Sequence, residues 1–188
     1  MKGLRNFRKR RTIFLWCSKR KADLVFLQET HSIAATENQW INERGAEIIS
    51  CHGSSNARGV AILFKNGIDY SINHKIVDPE GRYIILKACI QDKVYVLINV
   101  YAPNKDKDQV NFFNNLLSIL QNENLDSVDN IILGGDLSTK RKSVISCVDD
   151  FKSNLDLVDI WRSKNPDAKS FTWSHKSPPV FCLSLIHI

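Results

Sequence analysis

Three residues of this 188-residue chain have the types and settings to do chemistry together: Glu29, Tyr101 and Asp136. Glu29 lies in Leu27-Gln28-Glu29-Thr30, Tyr101 in Asn99-Val100-Tyr101-Ala102-Pro103-Asn104, and Asp136 closes Gly134-Gly135-Asp136. Each motif follows an apolar run that reads as a buried strand, over residues 22–27, 94–98 and 131–133. Carboxylates at the mouths of two strands are how a fold gathers acidic groups around a divalent cation. Magnesium takes one or two protein carboxylates and leaves its other positions to water and substrate phosphate. The pattern therefore predicts magnesium-dependent chemistry on a phosphate. Taken one at a time the motifs are weaker. Glu29 alone could sit in a surface ion pair, Tyr101 could be a core aromatic, and Gly-Gly-Asp could be a turn.

The elements that would position these residues follow from periodicity. A helix is expected near residues 5–20, then a strand at 23–28. Further strands are expected near 47–51, 59–64, 70–77, 83–90 and 94–100, with another at 130–133 leading into a Gly-Gly-Asp turn. Tyr83-Ile84-Ile85-Leu86 and Val94-Tyr95-Val96-Leu97-Ile98 are apolar at successive positions, the pattern of strands covered on both faces. Gln91-Asp92 is short enough to link two of them as a hairpin. Val110, Phe113, Leu116, Leu117 and Leu120 keep a helical period over 109–120, with Asp106 or Asp108 as cap. A short helix is expected around 149–157. Two stacked mixed sheets, each covered outside by helices, account for the unbroken apolar runs: an α/β sandwich of four layers.

Composition narrows the class. An apolar fraction of 43% with 24% charged residues is that of a soluble globular domain, and the length suits one domain. No apolar run approaches a membrane span, and no signal-peptide pattern opens the chain, so an intracellular protein, nuclear or cytoplasmic, is expected. Cys17, Cys51, Cys89, Cys147 and Cys182 lack metal-type spacing and read as free thiols, mostly buried. The net charge of +6 is local. Nine basic residues and no acidic one lie between Lys2 and Lys21, and the remainder is slightly acidic. That segment could track a nucleic-acid backbone, or form the solvated face of a helix whose apolar side uses Phe7, Ile13, Phe14, Trp16 and Cys17.

The ordered set of motifs resembles the endonuclease/exonuclease/phosphatase superfamily. It is carried by Leu27-Gln28-Glu29-Thr30-His31, Arg58-Gly59-Val60-Ala61-Ile62-Leu63, Asn99-Val100-Tyr101-Ala102-Pro103-Asn104, Gly134-Gly135-Asp136 and Phe171-Thr172-Trp173-Ser174. The nearest likeness is to the apurinic-like endonuclease domain of LINE-type (non-LTR) retrotransposons. The resemblance implies a four-layer α/β sandwich, a Mg2+ or Mn2+ cofactor, and DNA as partner. It makes Glu29 a metal ligand, Tyr101 a group at the scissile phosphate, and Asp136 the residue that orients water or protonates the leaving oxygen. Ser138, Thr172 and Asn104 become substrate- or DNA-contacting positions. It further implies a monomeric domain, no membrane association, and a parent polyprotein in which a reverse transcriptase domain can follow.

Against that pattern the chain departs in three places, and each is an expectation about activity. The family's first strand, which ends in an asparagine before a Gly-Leu pair, would precede Lys2-Gly3-Leu4. Leu137-Ser138 stands where the family carries Phe-Asn. The later Asp and Ser-Asp-His motifs have no counterpart. The domain is thus expected to be incomplete and to span 1–182, with 183–188 reading as the in-frame translation of a sequencing adapter. The expected function is a Mg-dependent phosphodiesterase, a DNA-nicking endonuclease in the intact family, inactive or weakly active in this copy. The rival readings are a noncatalytic nucleic-acid-binding relic that relies on Arg8 to Arg11, and another phosphodiesterase or phosphatase of the superfamily.

Overall fold

The computed structural model describes residues 3–20, 22–137, 142–164, 166, 173–176 and 179–182. Helix α1 (Phe7–Lys19) leads into strand β1 (Leu24–Gln28). A single 3-10 turn (Ala34–Thr36) and helix α2 (Glu37–Arg44) precede strands β2 (Ile48–Cys51) and β3 (Val60–Phe64). Strands β4 (Tyr70–Val77), β5 (Tyr83–Ile90) and β6 (Lys93–Tyr101) follow, then helix α3 (Asp106–Asn122) and strand β7 (Ile131–Asp136). Helices α4 (Lys142–Asn154) and α5 (Ile160–Lys164) and the hairpin β8 (Trp173–Lys176) and β9 (Pro179–Cys182) complete the order.

The strands form two principal sheets. One is ordered β1-β3-β2 and is antiparallel; the other is ordered β4-β5-β6-β7, antiparallel except where β7 runs parallel to β6. Alternation along β5 and β6 explains the unbroken apolar runs. Ile84, Leu86, Ala88, Ile90 and Leu97 fill the space between the sheets, against Ile49, Val60, Ile62 and Phe64. Tyr83, Ile85, Val96, Ile98 and Val100 point the other way, onto Phe113, Leu116 and Leu120 of α3 and Val148 and Phe151 of α4. On the far side of the first sheet, Leu27, Ile48, Ala61 and Leu63 pack with Phe14 and Cys17 of α1 and Trp40 of α2. Helices, sheet, sheet and helices are the four layers that the sequence predicts.

The Gln91-Asp92 link is the expected hairpin turn. Both residues have positive φ, 49° and 65°, as a two-residue turn matched to strand twist demands.

Several expectations are corrected. Gly134, Gly135 and Asp136 do not form a turn: β7 continues through them, and Asp136 pairs with Tyr101. Gly134 is forced by packing, because a Cβ there would meet the Phe26 ring of the opposite sheet at 2.4 Å. Gly135 has φ +150°, and a Cβ there would strike the Val100 carbonyl. Neither Asp106 nor Asp108 caps α3: Lys105 is the N-cap, without a side-chain bond, and both acids sit in the first turn, where the helix dipole favours them. The helix expected at 149–157 spans Lys142–Asn154 instead, with Val148 and Phe151 reaching the core together. Helix α2 goes unread in the sequence since Trp40 is its one buried side chain, too sparse for a period. Cys17, Cys51, Cys89 and Cys147 are free thiols, with Cys17 and Cys51 buried.

Candidate active site

Strand direction places the chemistry at one end of the sandwich. β1, β6 and β7 all run toward it, so Glu29, Tyr101 and Asp136 emerge side by side although they come from different sheets. The Tyr101 hydroxyl donates to Glu29 Oε1 at 2.5 Å. Asn104, exposed on the loop after β6, hydrogen-bonds the same tyrosine. Burial, the hydrogen bond to Glu29 and the charges of Glu29 and Asp136 push the Tyr101 phenol up to about 12. The hydroxyl is therefore a proton donor throughout the neutral range, never a base. Glu29, Tyr101 and Asp136 converge as the sequence predicts, with Asn104 beside them. Ser138 and Thr172 lie outside the described residues.

Three contacts along β1 hold the two halves of the site in register. Phe26 covers Gly134. One position on, Asn99 of β6 is fully buried between the sheets, and its amide donates to the carbonyls of Leu27 (3.2 Å) and Ala61 (2.9 Å). Its oxygen accepts from Gln28 Nε2 at 2.7 Å. Glu29 then meets Tyr101. Asn99 is the one polar residue in an otherwise apolar run, and that interruption is the signal by which it could have been singled out.

Backbone conformation aims Glu29. It has φ +52°, a left-handed conformation that costs a non-glycine residue about 1–2 kcal/mol. The neighbouring chain holds it there: Thr30 N donates to Gly59 O, His31 N to Arg58 O, and Leu4 N to Thr30 O. Beneath it runs a buried polar chain in which Thr30 Oγ1 lies 3.1 Å from Ser32 Oγ, itself 3.0 Å from His52 Nδ1. His31, a tempting base by type, instead packs against Gly3, where a Cβ would meet its ring at 2.4 Å.

Arg82, which no sequence pattern marks, brings positive charge to this mouth. Its guanidinium lies 6.0 Å from the centre of the Tyr101 ring, and its Nη1 donates to the Tyr101 carbonyl at 3.4 Å. Glu80 bridges Arg82 and Arg58, with contacts of 3.7 Å to Arg82 and 2.7 Å to Arg58. By contrast Arg10, in the basic N-terminal segment, is not solvated. Its guanidinium grips Glu43 through two bonds of 2.5 and 2.6 Å and also bonds the carbonyls of Leu4 and Arg5. Helical spacing turns position 10 inward while 8 and 11 face out, which removes Arg10 from any phosphate-tracking face.

The donors suit a hard cation. Both Glu29 and Asp136 act electrostatically on the Tyr101 phenol, so two carboxylates lie near this mouth, and magnesium takes one or two protein carboxylates. Glu29 is the residue that would hold it.

Residues 1–181 match the Endonuclease/Exonuclease/phosphatase family, and the chain belongs to that family. It is 30% identical over 159 residues to the Transposon TX1 uncharacterized 149 kDa protein of Xenopus laevis; the match covers 79% of this chain and 12% of that protein. An AP endonuclease from Archaeoglobus fulgidus superposes with a TM-score of 0.62 at 18% identity, covering 94% of this chain and 77% of its own. D. rerio TDP2 complexed with a single-strand DNA product superposes with a TM-score of 0.61 at 16% identity, covering 94% and 73%. The chain thus spans about an eighth of the transposon protein that it matches.

Proposed function

We propose that this chain is a divalent-metal-dependent phosphodiesterase domain that acts on DNA as a nicking endonuclease. The observation that carries the reading is the meeting of Glu29, Tyr101 and Asp136 from two sheets at one mouth, with the Tyr101 hydroxyl donating to Glu29 at 2.5 Å. DNA is favoured as substrate by the transposon relative and by the DNA-handling enzymes that share the fold.

Magnesium or manganese held by Glu29 would supply Lewis-acid polarisation of the phosphoryl oxygen and stabilise charge on the leaving group. The protein's own residues do the rest. Tyr101 keeps its proton and fixes the Glu29 carboxylate by a short bond, so the ligand is oriented before substrate arrives. Asp136, aligned with Tyr101 across the β6–β7 ladder, would orient the attacking water or carry a proton for the leaving oxygen. Arg82 contributes positive charge beside the Tyr101 ring, and Asn104 is a polar contact at the rim. Ser138, where the family has an asparagine, offers one hydroxyl in place of an amide with a donor and an acceptor. Loss of one preorganised donor lowers turnover by about 10²–10³-fold, so weak nicking is the expected level.

Supercoiled-plasmid relaxation tests the reading. Nicked circles should accumulate slowly with magnesium or manganese, disappear with EDTA, and fall to background in Asp136→Asn. Nicking that persists in EDTA, or survives Asp136→Asn, would refute metal-dependent chemistry at this mouth. A gain in Ser138→Asn of the size just given is the corresponding expectation for the departure at that position.

A further inference from the structure

The basic N-terminal segment has two sides with different fates. Along α1, Arg10, Phe14 and Cys17 turn inward, and Asn6 caps the helix by accepting from Lys9 N at 3.1 Å. The opposite stripe carries Arg11, Leu15, Trp16, Lys19 and Arg20, all exposed. Leu15 and Trp16 are 54% and 52% accessible, unusual for large apolar side chains set on a packed helix. The Arg20 guanidinium lies over the Trp16 ring at 4.9 Å. None of the ion pairs among the described residues engages Arg11, Lys19 or Arg20.

The stripe also has a direction. The residues before α1 are tied to the catalytic mouth through the Leu4–Thr30 bond, whereas its last turn lies beside the start of β1, at the far end of the sandwich. Thirteen residues at 1.5 Å each carry the face about 20 Å down the flank.

We propose that this outward face of α1 is a second nucleic-acid surface, separate from the catalytic mouth, that holds a single strand with Trp16 as its stacking platform and Arg11, Lys19 and Arg20 on the phosphates. Charge complementarity selects the partner. Nine basic residues and no acidic one lie between Lys2 and Lys21, while the rest of the chain is slightly acidic, so a polyanion is drawn to this flank alone. An exposed aromatic between cations selects a single strand over a duplex: a duplex keeps its base faces stacked on one another, whereas an unpaired base has a free face to stack. An anionic membrane would need a broad apolar stripe, and here the exposed apolar area at the centre of the stripe is two side chains flanked by cations.

The test is fluorescence anisotropy with a labelled mixed-sequence oligonucleotide, single-stranded and as a duplex, titrated at several salt concentrations in EDTA. The whole chain carries Asp136→Asn throughout, so the outcome does not depend on whether the mouth cleaves. The double variant Arg11→Glu/Lys19→Glu should flatten the single-strand log Kd versus log salt slope by about 1.4, at ~0.7 for each phosphate no longer neutralised. Trp16→Ala should weaken single-strand binding by about 10-fold and leave duplex binding unchanged, and Trp16→Phe should restore most of it. All these positions are exposed, and circular dichroism checks that the variants stay folded. An unaltered slope, an equal loss for duplex in Trp16→Ala, or failure of the single strand to bind would overturn the proposal. So would sedimentation with phosphatidylserine vesicles that the double variant abolishes while oligonucleotide binding persists, since that would make lipid the partner.

Discussion

Tyr101 and Asn99 sit two residues apart on one strand and do opposite things with their polarity. Tyr101 presents a proton it does not release: its phenol is held up to about 12 by burial, by the bond to Glu29 and by the two carboxylates. A raised tyrosine pKa stabilises the fold below the phenol's ordinary value of 10 and loses that contribution as pH climbs through the folded value. Wild-type stability should therefore show a Tyr101-dependent decline confined to strongly alkaline pH, absent in Tyr101→Phe, by urea titrations across pH 9–12. Nicking by Tyr101→Phe should fall by about 10²-fold, since Glu29 loses the bond that orients it. Asn99 is all structure. Asn99→Leu removes two donated bonds and leaves Gln28 without its acceptor, which should cost about 2–4 kcal/mol in urea denaturation. Glu29, Tyr101 and Asp136 were legible in the sequence because each ends an apolar run. Arg82 was not, since one arginine in a turn carries no pattern, and neither was the Thr30–Ser32–His52 chain, whose members meet only after folding.

At the scale of elements, one contact between the sheets has no room for an added methyl group. Phe26 of β1 rests on Gly134 of β7, where no side chain intervenes. Gly134→Ala should destabilise by about 1–3 kcal/mol through overpacking, and Phe26→Leu in the same chain should recover part of that loss. A double-mutant cycle by thermal or urea unfolding measures the coupling; strict additivity would show that the Phe26 ring is not what excludes the methyl group. The α1–α2 clamp is a second such device. Arg10→Ala leaves the Glu43 carboxylate without its buried partner and should cost about 3–5 kcal/mol, whereas Arg8→Ala, on the exposed side of the same helix, should sit within about 0.5 kcal/mol of wild type. Strands β1 to β6 were readable from their apolar runs almost to the residue, with β4 and β5 matching the expected spans, whereas β7 runs three residues further and the β8–β9 hairpin was not foreseen. Helix α2 and the true start of α4 were not legible either, because a helix that buries one residue, or whose apolar stripe begins among charged ones, lacks the periodicity that marks a boundary.

For the whole molecule, the sandwich accounts for the charge pattern as well as the chemistry. Four layers let β1, β6 and β7 deliver their ends to one edge, and the outer helix α1 carries the excess of positive charge along one flank. Among the described residues no helix is long and apolar enough to cross a membrane. The layering was foreseeable from strands apolar at successive positions, since only a two-sheet stack covers both of their faces. Beyond the β5–β6 hairpin, which strand lies beside which was not, for the arrangement emerges from contacts such as Asn99 to Leu27 that join residues far apart in the chain.

That Glu29 belongs to one sheet and Tyr101 and Asp136 to the other has an evolutionary reading. In an enzyme whose reactive groups share one loop, a lineage freed from selection loses activity chiefly when those few positions change. Here Glu29, Tyr101 and Asp136 meet only while the two sheets stay stacked at a fixed separation, so each of the many interior residues that sets that separation is also a position where change would part them. A drifting copy would fall silent through its filling long before its signature motifs eroded, and would keep the look of an enzyme well after it had ceased to be one.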